Sequence, residues 1–294
     1  DWISKAGGKV INLLTKGSEK HCRGQLKKEP AEHWQDVRRN IELAVQAGLS
    51  VNIYLEDWSN GMKDSPEYVF GMVDALRDAP ICRFMLPDTL GILAPGQTRA
   101  YFLKMVERYP ELHFDFHAHN DYDLAVANVL AAASAGCRGI HTTVNGLGER
   151  AGNASLSSVI AVLHDMLKEA ETTINEKSIN TISRMVESYS GIGTAANTPI
   201  VGENVFTQTA GVHADGDKKG KLYVNALLPE RFGRSREYAL GKMSGKANIE
   251  QNLKLLGIHL SDEDMRRVTK RINELGDKKE LVTIDDLPYI ISDV

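Results

Sequence analysis

The first 170 residues alternate short apolar runs with longer segments in which apolar residues recur every three to four positions. This alternation predicts strands that are each followed by an amphipathic helix, because the two elements repeat their apolar faces with different periods. The predicted strands begin roughly every thirty to forty residues, which is the spacing of βα units in a parallel sheet. They cover residues 9–14, 51–55, 83–86, 113–116 and 139–144.

Polar residues follow each predicted strand. They are Thr15-Lys-Gly, Glu56-Asp57, Asp88-Thr89, His117-Ala-His119 and Asn145-Gly. The carboxyl ends of the strands form the active-site rim of a (β/α)8 barrel, and a doubly wound sheet binds ligands at the same edge. The pattern shows five βα units where a barrel needs eight, and the chain opens at Asp1 without Met. We therefore expect an α/β fold of the (β/α)8 TIM barrel class with its N-terminal strands preceding Asp1, in preference to an open sheet.

The pattern changes near residue 170. Helices are predicted at residues 176–190, 247–256, 262–275 and 284–292, and a glycine-rich polar region covers residues 202–234. We expect three parts: residues 1–170 as the C-terminal part of a catalytic barrel, residues 171–235 as a linker or lid subdomain, and residues 236–294 as a second small helical subdomain.

Composition argues against several classes of protein. The chain carries 39 acidic and 35 basic residues, a formal net charge of −4, and no basic face stands out, so we expect no nucleic-acid partner. No apolar run is long enough to span a bilayer and no signal peptide opens the chain, so we expect no membrane partner. Cys22, Cys82 and Cys137 lie far apart, a pattern typical of a reduced, cytoplasmic protein with small buried cysteines.

Two histidines lie two positions apart in the string His113-Phe-Asp-Phe-His-Ala-His-Asn-Asp121. Side chains at this spacing on a strand share a face, so we expect His117 and His119 to point the same way. Two neutral imidazoles at a strand end suit a divalent metal ion; the alternative is a polar layer inside the barrel without a metal. Two ligands are too few, so we expect a carboxylate to join them and Asn153 or a water to complete the shell.

Carboxylates and hydroxyls end the second and third predicted strands. Tyr54 and Glu56 share a face, which makes Glu56 rather than Asp57 the candidate general acid or base; a surface carboxylate is the alternative. Thr89 is a candidate contact for a substrate carboxylate. Asp88 is either part of that contact or a turn residue.

The segment Gly146-Leu-Gly-Glu-Arg-Ala151 fits the dinucleotide pattern G-x-G-x-x-A. No strand with a terminal acidic residue follows about twenty residues later, so a nicotinamide site is disfavoured. We interpret the segment as a tight turn that packs Arg150 and Asn153 near the metal.

His213 lies in the glycine-rich region, close to Asp215. A histidine in a loop is usually a surface residue. The scarcity of apolar anchors around it favours a lid that closes over the site, and both interpretations remain open.

Several strings together resemble the acetyl-CoA-dependent 2-oxo-acid synthases of the HMG-CoA lyase-like (DRE-TIM metallolyase) superfamily, which are the 2-isopropylmalate, citramalate and homocitrate synthases. They span nearly the whole chain in the family's order. The strings are Leu86-Pro-Asp-Thr-Leu-Gly91, His117-Ala-His-Asn-Asp121, Ala125-Val-Ala-Asn128, Asn145-Gly-Leu-Gly-Glu-Arg-Ala-Gly-Asn153, Thr209-Ala-Gly-Val-His-Ala-Asp-Gly216 and Leu240-Gly-Lys-Met-Ser-Gly-Lys246.

The resemblance implies a metal-centred barrel followed by two small helical subdomains. It implies that His117 and His119 bind a divalent metal ion (Zn, Mn or Mg), with Asn153 close by. It also implies that acetyl-CoA is the co-substrate and a 2-oxo acid the acceptor.

The resemblance assigns the remaining roles as well. Glu56 would be a catalytic carboxylate, Thr89 a contact of the substrate carboxylate, and Tyr54 part of the 2-oxo-acid pocket. His213 would lie on the subdomain that reaches into the partner subunit's barrel, and that implies a homodimer. The string Tyr54-Leu-Glu-Asp-Trp-Ser-Asn-Gly61 is most similar to the branch that includes pyruvate-using citramalate synthases.

The chain departs from the family at both ends. The family opens with an Arg-Asp-Gly motif that supplies a third metal ligand, and this chain has no such motif at its start. The sequence also shows no segment that resembles the family's C-terminal regulatory domain, so we expect a core that is truncated at both ends. Ala118 stands where glycine is common in the family.

We therefore expect an acyltransferase of branched-chain amino-acid (leucine or isoleucine) biosynthesis, of the type that converts the acyl group to an alkyl group on transfer. It would condense acetyl-CoA with pyruvate or 2-oxoisovalerate to give citramalate or 2-isopropylmalate. The alternatives are a carbon–carbon lyase of the same superfamily or an inactive fragment.

Overall fold

The computed structural model describes residues 2–168, 170, 172–208, 216, 220, 222–280 and 282–294. The chain divides into two compact units that meet at residues 172 and 173. None of the described helices combines the length and the apolar character needed to cross a membrane. Each unit is described by itself.

Five parallel strands form the sheet of the first unit. They are β1 (Val10–Lys16), β2 (Ser50–Glu56), β3 (Ile81–Asp88), β4 (Phe114–Ala118) and β5 (Gly139–His141). Their order in the sheet is their order in the chain, and every neighbouring pair is parallel. A doubly wound sheet reverses its strand order at a switch point, whereas a barrel does not. The described strands therefore have the winding of the predicted barrel class, in an open sheet.

Helices connect these strands. They are α1 (Trp2–Lys5), α2 (Glu19–His21) continuing into a π-helical turn (Cys22–Leu26), α3 (Pro30–Gln46), α4 (Trp58–Asp64), α5 (Pro66–Leu76), α6 (Pro95–Arg108), α7 (Ala125–Ala133) and α8 (Leu156–Met166). Proline stands in the first turn of α3, α5 and α6, where its missing N–H costs nothing and its fixed φ suits the helix. The pattern did not predict α4, which begins directly after β2.

The core of this unit lies between one face of the sheet and its helices. Alternate strand residues, such as Val51, Ile53 and Leu55 of β2, are fully buried with Trp58 and Phe102 of the helices. The intervening residues occupy the other face of the sheet. That face is largely polar, and it leads to the carboxyl ends of the strands.

The second unit is mostly helical. Its elements are α9 (Ile179–Ser190), the paired short strands β6 (Thr207–Gln208) and β7 (Glu237–Tyr238), α10 (Lys246–Leu255), α11 (Asp262–Asp277) and α12 (Leu287–Ser292), with 3-10 turns at Glu176–Ser178, Pro229–Phe232 and Ile284–Asp286. A compact apolar cluster joins α10, α11 and α12. The predicted helices of this region are present, while the predicted division at residue 235 stays a prediction.

Candidate active site

The predicted metal ligands meet at the carboxyl end of β4. His117 lies within the strand, which ends at Ala118, and His119 forms an isolated bridge with Asn153. The Ala154 N–H donates to the Ala118 carbonyl at 3.0 Å. The long loop after β5 is thereby fastened to the end of β4, and this places Asn153 beside the histidine pair.

Both histidines are neutral near pH 7. Their ring centroids lie 5.0 Å apart. Burial lowers the pKa of His117 to about 4, with the nearby His119 and His141 rings contributing in the same direction. Burial, followed by the Arg150 guanidinium, also lowers the pKa of His119. A neutral imidazole keeps a lone pair that can bind a metal ion.

Among the residues that the structure describes, two buried polar atoms at this place have no hydrogen-bond partner, namely His119 Nδ1 and Asn153 Oδ1. The amide nitrogen of Asn153 is engaged, because Nδ2 donates to the Leu147 carbonyl at 2.9 Å. Buried polar atoms are nearly always satisfied in folded proteins, so unsatisfied ones at a cleft suggest a missing ligand. Two imidazoles and one amide oxygen therefore suit part of a metal shell.

The expected carboxylate ligand of this pair is not found in the described part of the chain. Within the described residues, no group of three or more His, Cys, Asp and Glu side chains is arranged to hold a metal ion. Asp121 binds the Arg150 guanidinium through both carboxylate oxygens, at 2.7 and 2.8 Å. Asp121 is therefore paired with Arg150. The N–H of Ala125, at the start of α7, donates to Asn120 Oδ1 at 3.1 Å.

Tyr54 and Glu56 face the same side of the sheet. The Tyr54 ring lies 5.9 Å from the His117 ring, centroid to centroid, and burial raises the pKa of its phenol. Glu56 forms an ion pair with Lys16, its register partner at the end of β1. The structure therefore brings Tyr54 to the histidine pair and gives Glu56 a buried cationic partner.

Thr89 and Asp88 have different roles at the end of β3. The Thr89 hydroxyl accepts the Asp57 N–H at 2.8 Å, so it still has a proton to donate. Asp88 is completely buried, and its carboxylate accepts the N–H groups of Ile92 and Leu93 at 3.0 and 2.9 Å. Of the two interpretations of Asp88, this geometry is that of a turn residue.

Asp57 lies at a position that sequence reasoning treated as secondary. Its backbone is left-handed, with φ 66°, and its carboxylate accepts the Ser18 hydroxyl at 2.7 Å and the Asn60 amide at 2.8 Å. His21 Nε2 lies 3.6 Å from the same carboxylate. Asp57 therefore joins the ends of β1, β2 and β3 into one rim.

Sequence reasoning also missed His141. It is the register partner of His117 on β5, its ring lies 5.6 Å from that of His117, and its Nε2 lies 3.3 Å from Asp115 Oδ2. The signal was present, because a histidine in the next strand at the same register must lie beside His117. Predicting this neighbour required the register between β4 and β5, which are strands of unequal length.

The glycine segment forms the predicted tight turn. A Cβ on Gly148 would overlap the Asn153 amide, and one on Gly152, where φ is +84°, would overlap the Gly146 carbonyl. The following helix, α8, begins only at Leu156. The glycines therefore make room for Asn153 rather than opening a helix onto a dinucleotide. His213, the predicted lid or catalytic residue, lies outside the described residues.

Two family models match successive parts of the chain. Residues 2–186 match the HMGL-like family model, and residues 200–280 match the homocitrate synthase post-HMGL domain-like model. The crystal structure of the HMG-CoA lyase of Bacillus subtilis shares the fold, with a TM-score of 0.57 and 22% identity over 67% of this chain and 68% of that one.

Three curated relatives are similar over most of the chain. Homocitrate synthase of Sulfolobus acidocaldarius is 36% identical over 87% of this chain and 53% of its own length. 2-Isopropylmalate synthase of Methylacidiphilum infernorum is 33% identical over 96% and 56%, and (R)-citramalate synthase of Methanocaldococcus jannaschii is 32% identical over 97% and 57%. The chain thus spans about half the length of these relatives. It belongs to the HMGL-like family.

Proposed function

We propose that this chain carries the catalytic core of a divalent-metal-dependent synthase that condenses acetyl-CoA with a 2-oxo acid. The observation that carries the proposal is the pair of neutral, half-buried histidines, His117 and His119, beside the unsatisfied oxygen of Asn153. Family membership and the names of the relatives support the same reaction class.

His117, His119 and Asn153 would hold the metal ion, which we propose to be Zn, Mn or Mg. A metal bound there would act as a Lewis acid that polarises the oxo group of the substrate. The hydroxyl of Thr89, which retains its proton, would donate to the substrate carboxylate. Tyr54 would close the pocket beside the histidines.

The reaction needs a base that removes a methyl proton from acetyl-CoA. Glu56 and His213 are both candidates for this base. Glu56 is a candidate because it ends β2 on the face that Tyr54 shares. The carbanion adds to the carbonyl carbon of the 2-oxo acid, and the carbonyl oxygen, which becomes an alkoxide, takes up a proton to give the alcohol. Hydrolysis of the thioester then releases CoA and makes the condensation irreversible.

We propose that the acceptor is a small 2-oxo acid. The Tyr54 side chain is bulky and lies against His117, which favours pyruvate, and hence citramalate, over 2-oxoisovalerate, and hence 2-isopropylmalate. Either product belongs to branched-chain amino-acid biosynthesis, of isoleucine or leucine respectively.

A synthase is favoured over a lyase by the second unit. Residues 200–280 match a domain that is named for homocitrate synthase, and His213 lies in this range. We further propose that the protein acts as a homodimer in which this region reaches the partner's barrel.

The test is the release of thiol from acetyl-CoA by this chain with Zn²⁺, Mn²⁺ or Mg²⁺, offering pyruvate, 2-oxoisovalerate and 2-oxoglutarate in parallel. Turnover with one acid that is lost in His117→Ala and kept in His164→Ala, a histidine exposed on α8, would support the proposal. Full activity in His117→Ala would contradict the proposed metal site.

Calorimetric titration of the same metal ions gives a readout that is independent of turnover. Wild type and His164→Ala should bind the metal ion alike, and His117→Ala should bind it more weakly. Absence of turnover with every acid would favour the interpretation of the chain as an inactive fragment.

A further inference from the structure

A lysine is buried at the rim, where a charged side chain is costly unless it is paired. Lys16 ends β1, its side chain is 10% exposed, and its ammonium forms an ion pair with Glu56, whose side chain is 27% exposed. The two residues are register partners on adjacent strands. The pair therefore lies on the face that carries Tyr54, at the edge where the proposed chemistry takes place.

The backbone of Lys16 is held in place from the helix side. Its N–H donates to His33 Nε2 at 3.3 Å, and its carbonyl accepts the Tyr68 hydroxyl at 2.9 Å. Burial lowers the pKa of His33, and this keeps the imidazole neutral and able to accept. The backbone of Lys16 is therefore fixed at the point from which its side chain extends to Glu56.

Gly17, which follows Lys16, holds the backbones of β1 and β2 close together. The Gly17 N–H donates to the Glu56 carbonyl at 2.6 Å, and a Cβ on Gly17 would overlap the Leu55 carbonyl. Glu56 therefore has its backbone fixed by Gly17 and its carboxylate held by Lys16. Within the described residues, the Lys16 ammonium and the Glu56 carboxylate form side-chain hydrogen bonds only with each other.

We propose that Lys16 is a positioning residue for Glu56. Its ammonium holds the carboxylate in the orientation in which Glu56 acts, and it offsets the negative charge that Glu56 would otherwise bring to the site. Lys16 is not proposed to touch the substrate or to transfer a proton. The kinetic part of this inference rests on the proposed function, whereas the orientation of Glu56 does not.

The first test is structural. Crystal structures of wild type and of Lys16→Met, which keeps the length of the side chain without its charge, should show the Glu56 carboxylate in different positions. Lys16→Arg should keep it close to its place. An unmoved carboxylate in Lys16→Met would overturn the proposal whether or not the chain turns over acetyl-CoA.

The second test is a double-mutant cycle on kcat. Misplacement of a reacting group by about 1 Å costs up to roughly 100-fold in rate, so Lys16→Met should lower kcat about 10- to 100-fold and Lys16→Arg should recover much of the loss. In the Glu56→Gln background, Lys16→Met should change kcat by less than about twofold, because coupled residues are not additive. Equal losses in the two backgrounds would mean that Lys16 acts independently of Glu56.

The matched control is Arg77→Met, which removes an exposed ion pair with Glu111 on the outer surface. It should leave kcat unchanged. If Glu56→Gln itself keeps full activity, the role of Glu56 in the proposed function is wrong, and the crystal structures still decide whether Lys16 orients it.

Discussion

Replacement of Asp57 should destabilise the first unit more than replacement of any exposed carboxylate in it. The Asp57 side chain is completely buried, and it accepts hydrogen bonds from the Ser18 hydroxyl and the Asn60 amide. In Asp57→Ala both donors lose their acceptor, and each hydrogen bond to a charged group contributes about 1.5–3 kcal/mol. We expect the loss of these two hydrogen bonds in Asp57→Ala to lower the free energy of unfolding by about 3–6 kcal/mol, to which the backbone cost of alanine is added.

Two further variants show how much of this loss of stability comes from each interaction. Ser18→Ala removes one of the two hydrogen bonds, which should cost about 1.5–3 kcal/mol. It also removes the cap that the Ser18 hydroxyl provides for the His21 N–H at 3.3 Å, which adds about 0.5–2 kcal/mol. Asp57→Asn keeps one acceptor oxygen and tolerates the left-handed backbone, so it should cost less than Asp57→Ala. The left-handed conformation itself costs alanine roughly 1–2 kcal/mol.

Asp123→Ala is the control for that backbone cost, because the variant loses only an exposed hydrogen bond from the Asn120 amide to the Asp123 carboxylate at 3.2 Å. Asp123 is also left-handed, with φ 58°, but it is exposed. The assay is urea unfolding followed by tryptophan fluorescence. All three tryptophans, Trp2, Trp34 and Trp58, lie in the first unit, so the signal reports on that unit. A loss in Asp57→Ala no larger than that in Asp123→Ala would refute the view that buried hydrogen bonds at Asp57 hold the rim together.

Two more predictions address the pocket and the second unit. Tyr54→Ala should enlarge the acceptor pocket and shift the ratio of kcat/KM toward 2-oxoisovalerate relative to pyruvate by at least about tenfold; an unchanged ratio would show that Tyr54 does not set substrate size. In the second unit, hydrogen bonds from the Thr194 hydroxyl and N–H, aided by Arg184, lower the pKa of Glu187 from 4.5 to about 2. The ionised carboxylate therefore stabilises the folded state above about pH 4.5, and this contribution is lost as the pH falls toward 2. Amide exchange in α9 should show wild type more protected than Glu187→Gln at pH 6 and the difference shrinking at low pH; a difference that does not depend on pH would contradict the assignment.

The sequence predicted the parts of the fold that depend on local pattern. All five described strands of the first unit were predicted, because an apolar run followed by polar residues marks a buried strand that ends at an edge. The first four extend further toward that edge than the pattern indicated, so that β1 continues to Lys16 and β3 to Asp88. These terminal residues are polar, so hydrophobicity alone could not assign them to strands. The fifth, β5, ends earlier, at His141, and the pattern did not predict β6 and β7 of the second unit.

The rest of the rim depends on contacts between distant residues. Asp57 adopts a left-handed conformation and is followed by α4. Ser18 and Asn60 satisfy its carboxylate there. No local sequence pattern shows that Ser18, in the loop after β1, is a partner of Asp57. His141 lies beside His117 only in the register of β4 and β5. Lys16 appeared to be a loop residue until its pairing with Glu56 placed it in the sheet.

The rim contains two kinds of buried polar side chain, and their hydrogen bonds distinguish them. Asp57 and Asp88 have both carboxylate oxygens occupied by protein donors, so they hold the scaffold and have little left to offer a ligand. His119 and Asn153 each keep a buried atom without a partner, an arrangement that is unfavourable in an empty site and favourable when a metal ion fills it. The sequence presents all four as polar residues that follow strands. The structure separates the two whose oxygens are satisfied from the two that keep an unsatisfied atom, and this difference supports the proposal that the chemistry is centred at the end of β4.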